Sequence, residues 1–319
     1  MYDVVGIEMP CIDLNLNMDE FPKVAQGNRI NQYSWQGGGK VASGSVACAR
    51  LGAKCAIMGC VGDDIFGRFI VGDFQRHGID TSGMMVREGS TTSLSCVLSD
   101  LESGNRTFVF APGTAPRFKF EELDLNLIQS AKYLFISNGG EETVKAVDAA
   151  REAGVQVFID ADSYSEDIIE LIPKIDIFVA SEYFYKRMYG NEDFEKNCRE
   201  VMAKGPRIVI FTMGPKGCIG VSEEGFFNIP TFLELPVVDT VGAGDVFHGG
   251  FLAGLISGRS VAESARFANA VSSIKCTRIG GRAGIPDLKT VERFLEDGFI
   301  DYTEIDERVK HYERGLDNV

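Results

Sequence analysis

Asp245 is the residue of this chain best placed for proton transfer, because it directly follows the glycine-rich turn Gly242-Ala243-Gly244. Residues 246–256 form an apolar run long enough for a mostly buried helix. The unpaired N–H groups at such a helix start, together with the helix dipole, make a site for an anion such as a phosphate. A carboxylate beside that anion can take a proton from an attacking hydroxyl, which is usually worth ~10²–10⁴-fold in rate. The pattern indicates phosphoryl transfer, although a plain glycine turn with Asp at a helix start has the same composition.

A longer segment around this acid, DTVGAGDVFHGGF at residues 239–251, favours the phosphoryl-transfer site over the plain glycine turn. It resembles the C-terminal signature of the ribokinase-like (PfkB) sugar kinases, D-T-x-G-A-G-D-x-F-x-G-x-[FL]. The resemblance implies that Asp245 is the catalytic base and that Gly242, Ala243 and Gly244 form the anion hole. It also implies an ATP-dependent kinase that phosphorylates a hydroxyl of a small carbohydrate, with Mg²⁺ bridging the ATP phosphates.

Many members of that family hold a monovalent cation behind the anion hole. The resemblance places Asp239 among the ligands of this ion, together with backbone carbonyls, and makes K⁺ the candidate. Asp239 could equally be a plain turn acid.

A second glycine-rich stretch, QGGGKVASGSVACARLGA at residues 36–53, precedes a predicted helix. It resembles the N-terminal signature of the same family, G-G-x-x-x-N-x-A-x-x-x-x-x-L-G. Gly38, Gly39 and Lys40 match a ribokinase-type G-G-K and are therefore expected at the sugar, while a surface lysine is the plain alternative for Lys40. Ser43 stands where the family has Asn, and its shorter hydroxyl suggests an acceptor other than ribose.

Asp13 and two flap-like segments complete the predicted acceptor side. The strand predicted at residues 3–8 ends near Asp13, at the kind of strand end where open α/β sheets bind ligands. The resemblance places an Asp here against sugar hydroxyls, and a solvated loop Asp is the alternative. Residues 15–36 and the hairpin at 92–111 are expected to form a small β lid, whose apolar face favours a homodimer paired through it. Arg106 is either a substrate contact or a solvated edge charge.

The nucleotide side is predicted from a loop after the strand at residues 207–213. Thr212, Gly214 and Gly217 resemble the T-x-G-x-x-G loop of the family, which faces the phosphates and ribose of ATP. Asn269 matches a family position beside adenine, and an interior helix Asn is the alternative for it.

Residues 132–180 alternate between predicted strands and helices, which indicates βαβ units on a parallel sheet. Together with the resemblance, this predicts an α/β fold with a three-layer Rossmann-like core, a mostly parallel sheet and a small β lid, in one domain spanning 1–319. Asn138 and Asp160 are candidate cleft residues at strand ends. The N-x-x-E stretch with which many relatives organise Mg²⁺ is replaced here by residues 181–184, where Glu182 could partly substitute.

Composition excludes several other classes of protein. With 45% hydrophobic residues, the 319-residue chain can build a sizeable core. Its net charge of −14 argues against nucleic-acid and anionic-membrane partners. Its eight cysteines contain no C-x-x-C pair and are expected to be reduced core residues. No apolar run approaches the ~20 residues of a membrane span, and the N-terminus does not resemble a leader, so a cytoplasmic location is expected.

Three functions fit these patterns. The leading hypothesis is an ATP-dependent kinase acting on a small carbohydrate. A nucleoside kinase of the same family would differ only in the acceptor pocket. A sugar-responsive regulatory protein with weak turnover would keep the fold; the intact Asp245 argues against it, and the missing N-x-x-E argues weakly for it.

Overall fold

The computed structural model describes residues 1–318, in which strands and helices alternate along most of the chain. The strands are β1 (Tyr2–Glu8), β2 (Cys11–Met18), β3 (Gln32–Gly38), β4 (Cys55–Gly62), β5 (Asp80–Arg87), β6 (Leu94–Asp100), β7 (Arg106–Ala111), β8 (Ala131–Ile136), β9 (Gln156–Ala161), β10 (Ile177–Ser181), β11 (Ile208–Thr212), β12 (Cys218–Ser222) and β13 (Gly225–Ile229). The α-helices are α1 (Lys40–Arg50), α2 (Ile65–Arg76), α3 (Leu125–Gln129), α4 (Glu141–Glu152), α5 (Glu166–Leu171), α6 (Glu182–Met188), α7 (Phe194–Met202), α8 (Ala243–Ile256), α9 (Val261–Lys275), α10 (Leu288–Asp297) and α11 (Thr303–Glu313). Within residues 1–318, no helix is both long and apolar enough to cross a bilayer.

The larger sheet carries the fold and confirms the predicted mostly parallel arrangement. Among the described residues its strand order is β13-β12-β11-β10-β9-β8-β1-β4-β5. The strands from β11 to β5 run parallel, and β12 and β13 add an antiparallel edge. Strand order reverses beside β1, because the chain continues from β1 to β4 on one side and returns to β8 on the other. In open α/β sheets, this switch point is where ligands bind.

Helices cover both faces of this sheet, as a parallel sheet requires. One hydrophobic core lies between the sheet and the helices α1, α2, α8, α9, α10 and α11, and includes Val46, Phe251 and Val271. A second core lies against the opposite face, under α3 to α7, and includes Val147 and Phe184. The predicted three-layer core is therefore confirmed.

A smaller sheet with the strand order β3-β2-β6-β7 forms the lid. The predicted hairpin is confirmed by the antiparallel pairing of β6 with β7. The other lid strands begin earlier and end later than predicted, because β2 starts at Cys11 and β3 reaches Gly38. The expectation that Asp13 ends the first strand is wrong: only Met9 and Pro10 separate β1 from β2, and Asp13 lies inside β2. Asp13 is paired there with neighbouring strands on both sides, with Gln36 of β3 and Ser95 of β6.

Helices α1, α8 and α9 approach one another through small residues. A Cβ atom added to Gly249 of α8 would overlap the carbonyl oxygen of Gly44 in α1, and one added to Gly250 would lie 3.1 Å from Cα of Ala268 in α9. A Cβ atom on Gly44 would in turn lie 3.1 Å from the carbonyl oxygen of Asp245. This close packing brings the N-terminal ends of α1 and α8 side by side.

We expect Gly249→Ala to destabilise the protein by about 1–3 kcal/mol, because the added methyl group meets backbone that cannot move aside cheaply. The matched control is Gly72→Ala in α2, where an added Cβ atom meets nothing within 4 Å. That variant should be stabilised by about 0.5–1 kcal/mol through the better helix propensity of alanine. Calorimetric melting of both variants checks the expectation, and an unchanged melting temperature in Gly249→Ala would contradict it.

Candidate active site

The turn before α8 packs tightly against a neighbouring loop and, among the described residues, leaves two backbone N–H groups free. Gly242 has φ of 68°, and a Cβ atom there would lie 2.9 Å from Cα of Gly281, so the position requires glycine. The N–H of Ala243 donates to the carbonyl of Thr240, at 3.2 Å. Within residues 1–318, the N–H groups of Gly244 and Asp245 donate to no backbone carbonyl. They are available to an anion at the positive end of the helix dipole.

Asp245 lies in the first turn of α8, in a cluster of charged groups. Burial raises the pKa of Asp245 well above its usual range, and the negative charge of Asp160 raises it further. The Lys40 ammonium acts in the opposite direction. Lys40 itself lies 3.3 Å from a carboxylate oxygen of Asp162 and donates to the hydroxyl of Ser163 at 3.1 Å. The structure therefore brings Lys40 and Asp245, from the two glycine signatures, into one electrostatic cluster.

Asp13 and Gly38 are diagonal neighbours on the paired strands β2 and β3. A Cβ atom on Gly38 would overlap the Asp13 carboxylate, so glycine at this position makes room for the acid. Gly39 has φ of 105° and begins α1, which is also a conformation that favours glycine. Burial raises the pKa of Asp13 to about 6, while a hydrogen bond from the Cys11 thiol and the charge of Arg282 lower it.

Ser43 and Arg282 contact each other in a buried polar network next to Gly38. Ser43 is 2% exposed, and its hydroxyl oxygen lies 3.4 Å from Nε of Arg282, which donates to it. Arg282 also donates to a carboxylate oxygen of Asp73 at 2.7 Å and to the Gly38 carbonyl at 3.2 Å. The other Asp73 oxygen accepts the Tyr312 hydroxyl at 2.8 Å. Arg282 was not predicted, and its contact with Ser43 means that this hydroxyl is already engaged within the protein.

Two other residues predicted on the acceptor side also form hydrogen bonds within the protein. Arg106 donates to the side-chain oxygen of Thr240 at 2.9 Å and thereby ties the lid to the segment before the turn. Asn138 accepts the N–H of Gly140 at 3.2 Å and the hydroxyl of Thr143 at 2.9 Å, which fixes the start of α4. Both substrate contacts stay predictions.

The predicted nucleotide loop lies between β11 and β12. Gly214 and Gly217 have φ of 56° and 90°, and a Cβ atom on Gly217 would overlap the carbonyl oxygen of Ile229. The Thr212 hydroxyl lies 3.4 Å from the Ala180 carbonyl, to which it donates. Asn269 donates to the carbonyl of Ile229 at 3.2 Å, and so holds α9 against the end of β13. Its predicted position beside adenine is not tested by these contacts.

The sequence matches the family model for pfkB family carbohydrate kinases over residues 1–288. The chain belongs to the pfkB family. It is 29% identical over 287 residues to Probable fructokinase-3 of Arabidopsis thaliana, covering 82% of this chain and 83% of that protein. A ribokinase from Thermotoga maritima is 26% identical with a TM-score of 0.78, covering 93% of this chain and 100% of that one. An Arabidopsis thaliana ribokinase solved with ribose and ATP is 23% identical with a TM-score of 0.79, covering 92% and 99%.

This pfkB kinase is thus a sugar phosphotransferase, but it departs from the expected N-x-x-E stretch. The Ser181 hydroxyl accepts the N–H of Phe184 at 3.1 Å and begins α6, while Phe184 is fully buried. Glu182, the expected substitute, forms an ion pair of 2.8 Å with Lys186 on the outer surface of α6. The part that Glu182 could play in organising Mg²⁺ stays a prediction.

Asp160 is a fully buried acid close to the start of α8. Within residues 1–318, neither of its buried carboxylate oxygens has a hydrogen-bond partner. His248 Nδ1 lies 3.4 Å from one of them and 2.6 Å from the Gly244 carbonyl. Because a carbonyl only accepts, the nearer contact places a proton on Nδ1. Asp160 was predicted as a cleft residue, and the structure places it beside the start of α8.

We expect Asp245→Asn to raise the melting temperature at pH 8. The folded protein binds the Asp245 proton more tightly than the unfolded chain does, because the pKa is raised on folding. Stability is therefore lost as pH rises from the ordinary carboxyl range toward the raised pKa, and the neutral amide avoids this loss. At pH 4, where the acid is largely protonated in the folded protein, the two melting temperatures should be nearly equal. A lower melting temperature for the variant at pH 8 would contradict the burial of this charge.

Proposed function

We propose that this sugar kinase transfers the γ-phosphoryl group of ATP to a hydroxyl of a small, uncharged carbohydrate, with Asp245 as the general base. The observation that carries the proposal is the juxtaposition, at the start of α8, of a partly buried carboxylate of raised pKa with two N–H groups that have no backbone acceptor. The Gly242-Ala243-Gly244 turn serves as the anion hole. Asp13 and Gly38 form the corner where the acceptor binds.

The proposed reaction is a single displacement. The sugar hydroxyl oxygen attacks the γ-phosphorus, the bond to the β,γ-bridging oxygen breaks, and ADP leaves. The Asp245 carboxylate takes the hydroxyl proton, and its raised pKa makes it a stronger base at working pH than an exposed acid would be. The N–H groups of Gly244 and Asp245 bind the phosphoryl oxygens, and Lys40 adds positive charge nearby. Mg²⁺ enters as part of the substrate MgATP and neutralises phosphate charge.

The lid supplies one wall of the proposed acceptor pocket. Gln36, Asp13, Ser95 and Phe110 are paired in one row across its four strands, so their side chains lie on the same face. Phe110 is 59% exposed at the edge of this row. An aromatic ring beside a carboxylate suits a sugar, since the ring packs on C–H groups while the carboxylate accepts hydroxyl hydrogen bonds.

The acceptor is best identified by an ADP-release screen across pentoses, hexoses, ketoses, polyols and nucleosides. The names of the relatives, a fructokinase and ribokinases, support a ketohexose or a pentose as the first candidates. Turnover confined to nucleosides would replace the sugar proposal, and no turnover with any acceptor would favour a regulatory role. The cytoplasmic location expected from the sequence stays a prediction.

We expect Asp245→Asn to lower kcat by at least ~10²-fold while ATP affinity changes little, because the amide keeps the shape but cannot take the proton. Asp148→Asn is the control, since Asp148 pairs with Lys174 at the surface, away from the site. ADP release measures kcat, and calorimetric titration measures ATP affinity. Near-normal turnover in Asp245→Asn would remove this residue from the role of base.

We also propose a homodimer that pairs through the outer face of the lid. Leu14, Leu16 and Leu98 are only partly buried on this face, and Tyr33 and Val109 are 51% and 60% exposed there. A contiguous apolar face on a sheet of this kind favours covering by a second copy.

We expect the protein to be dimeric at micromolar concentration by light scattering, and Leu16→Asp to make it monomeric by burying a charge in the interface. Leu233→Asp is the control, because Leu233 is 73% exposed outside the lid. A monomeric wild-type protein would rule out the pairing.

A further inference from the structure

Lys275 is a buried lysine whose ammonium group lies directly beneath the proposed anion hole. It is the last residue of α9 and is 0% exposed. Its Nζ donates to the carbonyl oxygen of Asp239 at 3.0 Å and to that of Val241. Because burying a charge is costly unless it is hydrogen-bonded, these two carbonyls are what make the position tenable.

The same backbone segment is held on its other sides by further bonds. The Asp239 carboxylate accepts the N–H of Val241 at 2.9 Å and the N–H of Gly280 at 2.8 Å. The Ser272 hydroxyl donates to the Ala243 carbonyl at 2.7 Å. The carbonyls of Asp239 and Val241 are therefore bound by Lys275 and that of Ala243 by Ser272, both from α9, while the N–H groups of residues 244 and 245 stay available.

Backbone carbonyls gathered at one point are the usual ligands of K⁺ in proteins. The resemblance noted for the sequence implies such an ion here, with Asp239 as one ligand. The residues present do not fit it: the carbonyls of Asp239 and Val241 already bind an ammonium, and the Asp239 carboxylate is occupied by N–H donors. A second monovalent cation in contact with the same carbonyls would be repelled by the first.

We infer that the Lys275 ammonium is the permanent cation of this site and that the kinase works without an added monovalent ion. Lys275 is a positioning residue: it orients the carbonyls of residues 239 and 241 and thereby holds the N–H groups of the turn toward the phosphoryl group. This inference rests on the proposed role of the turn as an anion site.

The first test uses the wild-type protein. Its turnover and ATP affinity are measured in tetramethylammonium, sodium and potassium chlorides at one ionic strength, so that screening is equal in all three. The values should agree within ~2-fold, because no ion site depends on the salt. Activation of several-fold by K⁺ over tetramethylammonium would overturn the inference, whatever the variants do.

The second test compares Lys275→Ala, which leaves room for an ion, with Lys275→Met, which fills the space with an uncharged chain. Both should lose at least ~10-fold in kcat, because the turn is less well oriented. Added NH₄⁺ or K⁺ should restore much of the activity of Lys275→Ala and none of that of Lys275→Met. Loss in Lys275→Ala without ionic rescue would contradict the cation role, as would full activity without added ions.

Melting temperatures separate this inference from the proposed function. NH₄⁺ should raise the melting temperature of Lys275→Ala but not that of wild type, Lys275→Met or the exposed control Lys196→Ala. This response reports on the carbonyl site even if Asp245 proves not to be the base. If Lys275→Ala does not fold, the salt comparison on the wild type still decides the matter.

Discussion

The close approach of α1, α8 and α9 is the constraint on which the rest of the structure depends. Gly249 lets α8 contact the backbone of α1, and Gly250 lets it contact α9. As a result, three features lie close together: the glycine turn before α8, the glycine turn before α1 and the buried Lys275 at the end of α9. A bulkier residue at these contacts would separate the proposed phosphate site from the acceptor corner.

The groups around the turn before α8 provide local positive charge in a protein whose net charge is negative. A protein of net charge −14 needs local positive groups to bind an anionic nucleotide, and the proposed ones are the turn N–H groups and Lys40, with the Lys275 ammonium behind the turn. The buried Asp160 and the partly buried Asp245 both lie in the field of the Lys40 ammonium. Burial raises the pKa of both, which costs stability but suits Asp245 to the proposed role of general base.

Much of the fold follows from local patterns in the sequence, but the details of the site do not. The mostly parallel sheet, the lid hairpin and the placement of Asp245 in the first turn of α8 are all confirmed, because periodicity and glycine turns are local signals. The expected position of Asp13 at the end of the first strand is wrong, because the lid begins almost at once after β1. Lys275 could have been noticed as a lysine on the apolar face of a predicted helix, four residues after Val271. Its carbonyl partners, more than thirty positions away along the chain, could not have been predicted.

Asp245 and the turn before α8 are the proposed place of phosphoryl transfer. The most direct test is a crystal structure of the protein with ADP, aluminium fluoride and an accepted sugar, since this complex mimics the transferring phosphoryl group. The proposed mechanism predicts that the fluoride complex binds the N–H groups of Gly244 and Asp245, with a sugar hydroxyl within hydrogen-bond distance of the Asp245 carboxylate. An anion bound only at the Thr212–Gly217 loop, or a sugar with no hydroxyl near Asp245, would contradict it.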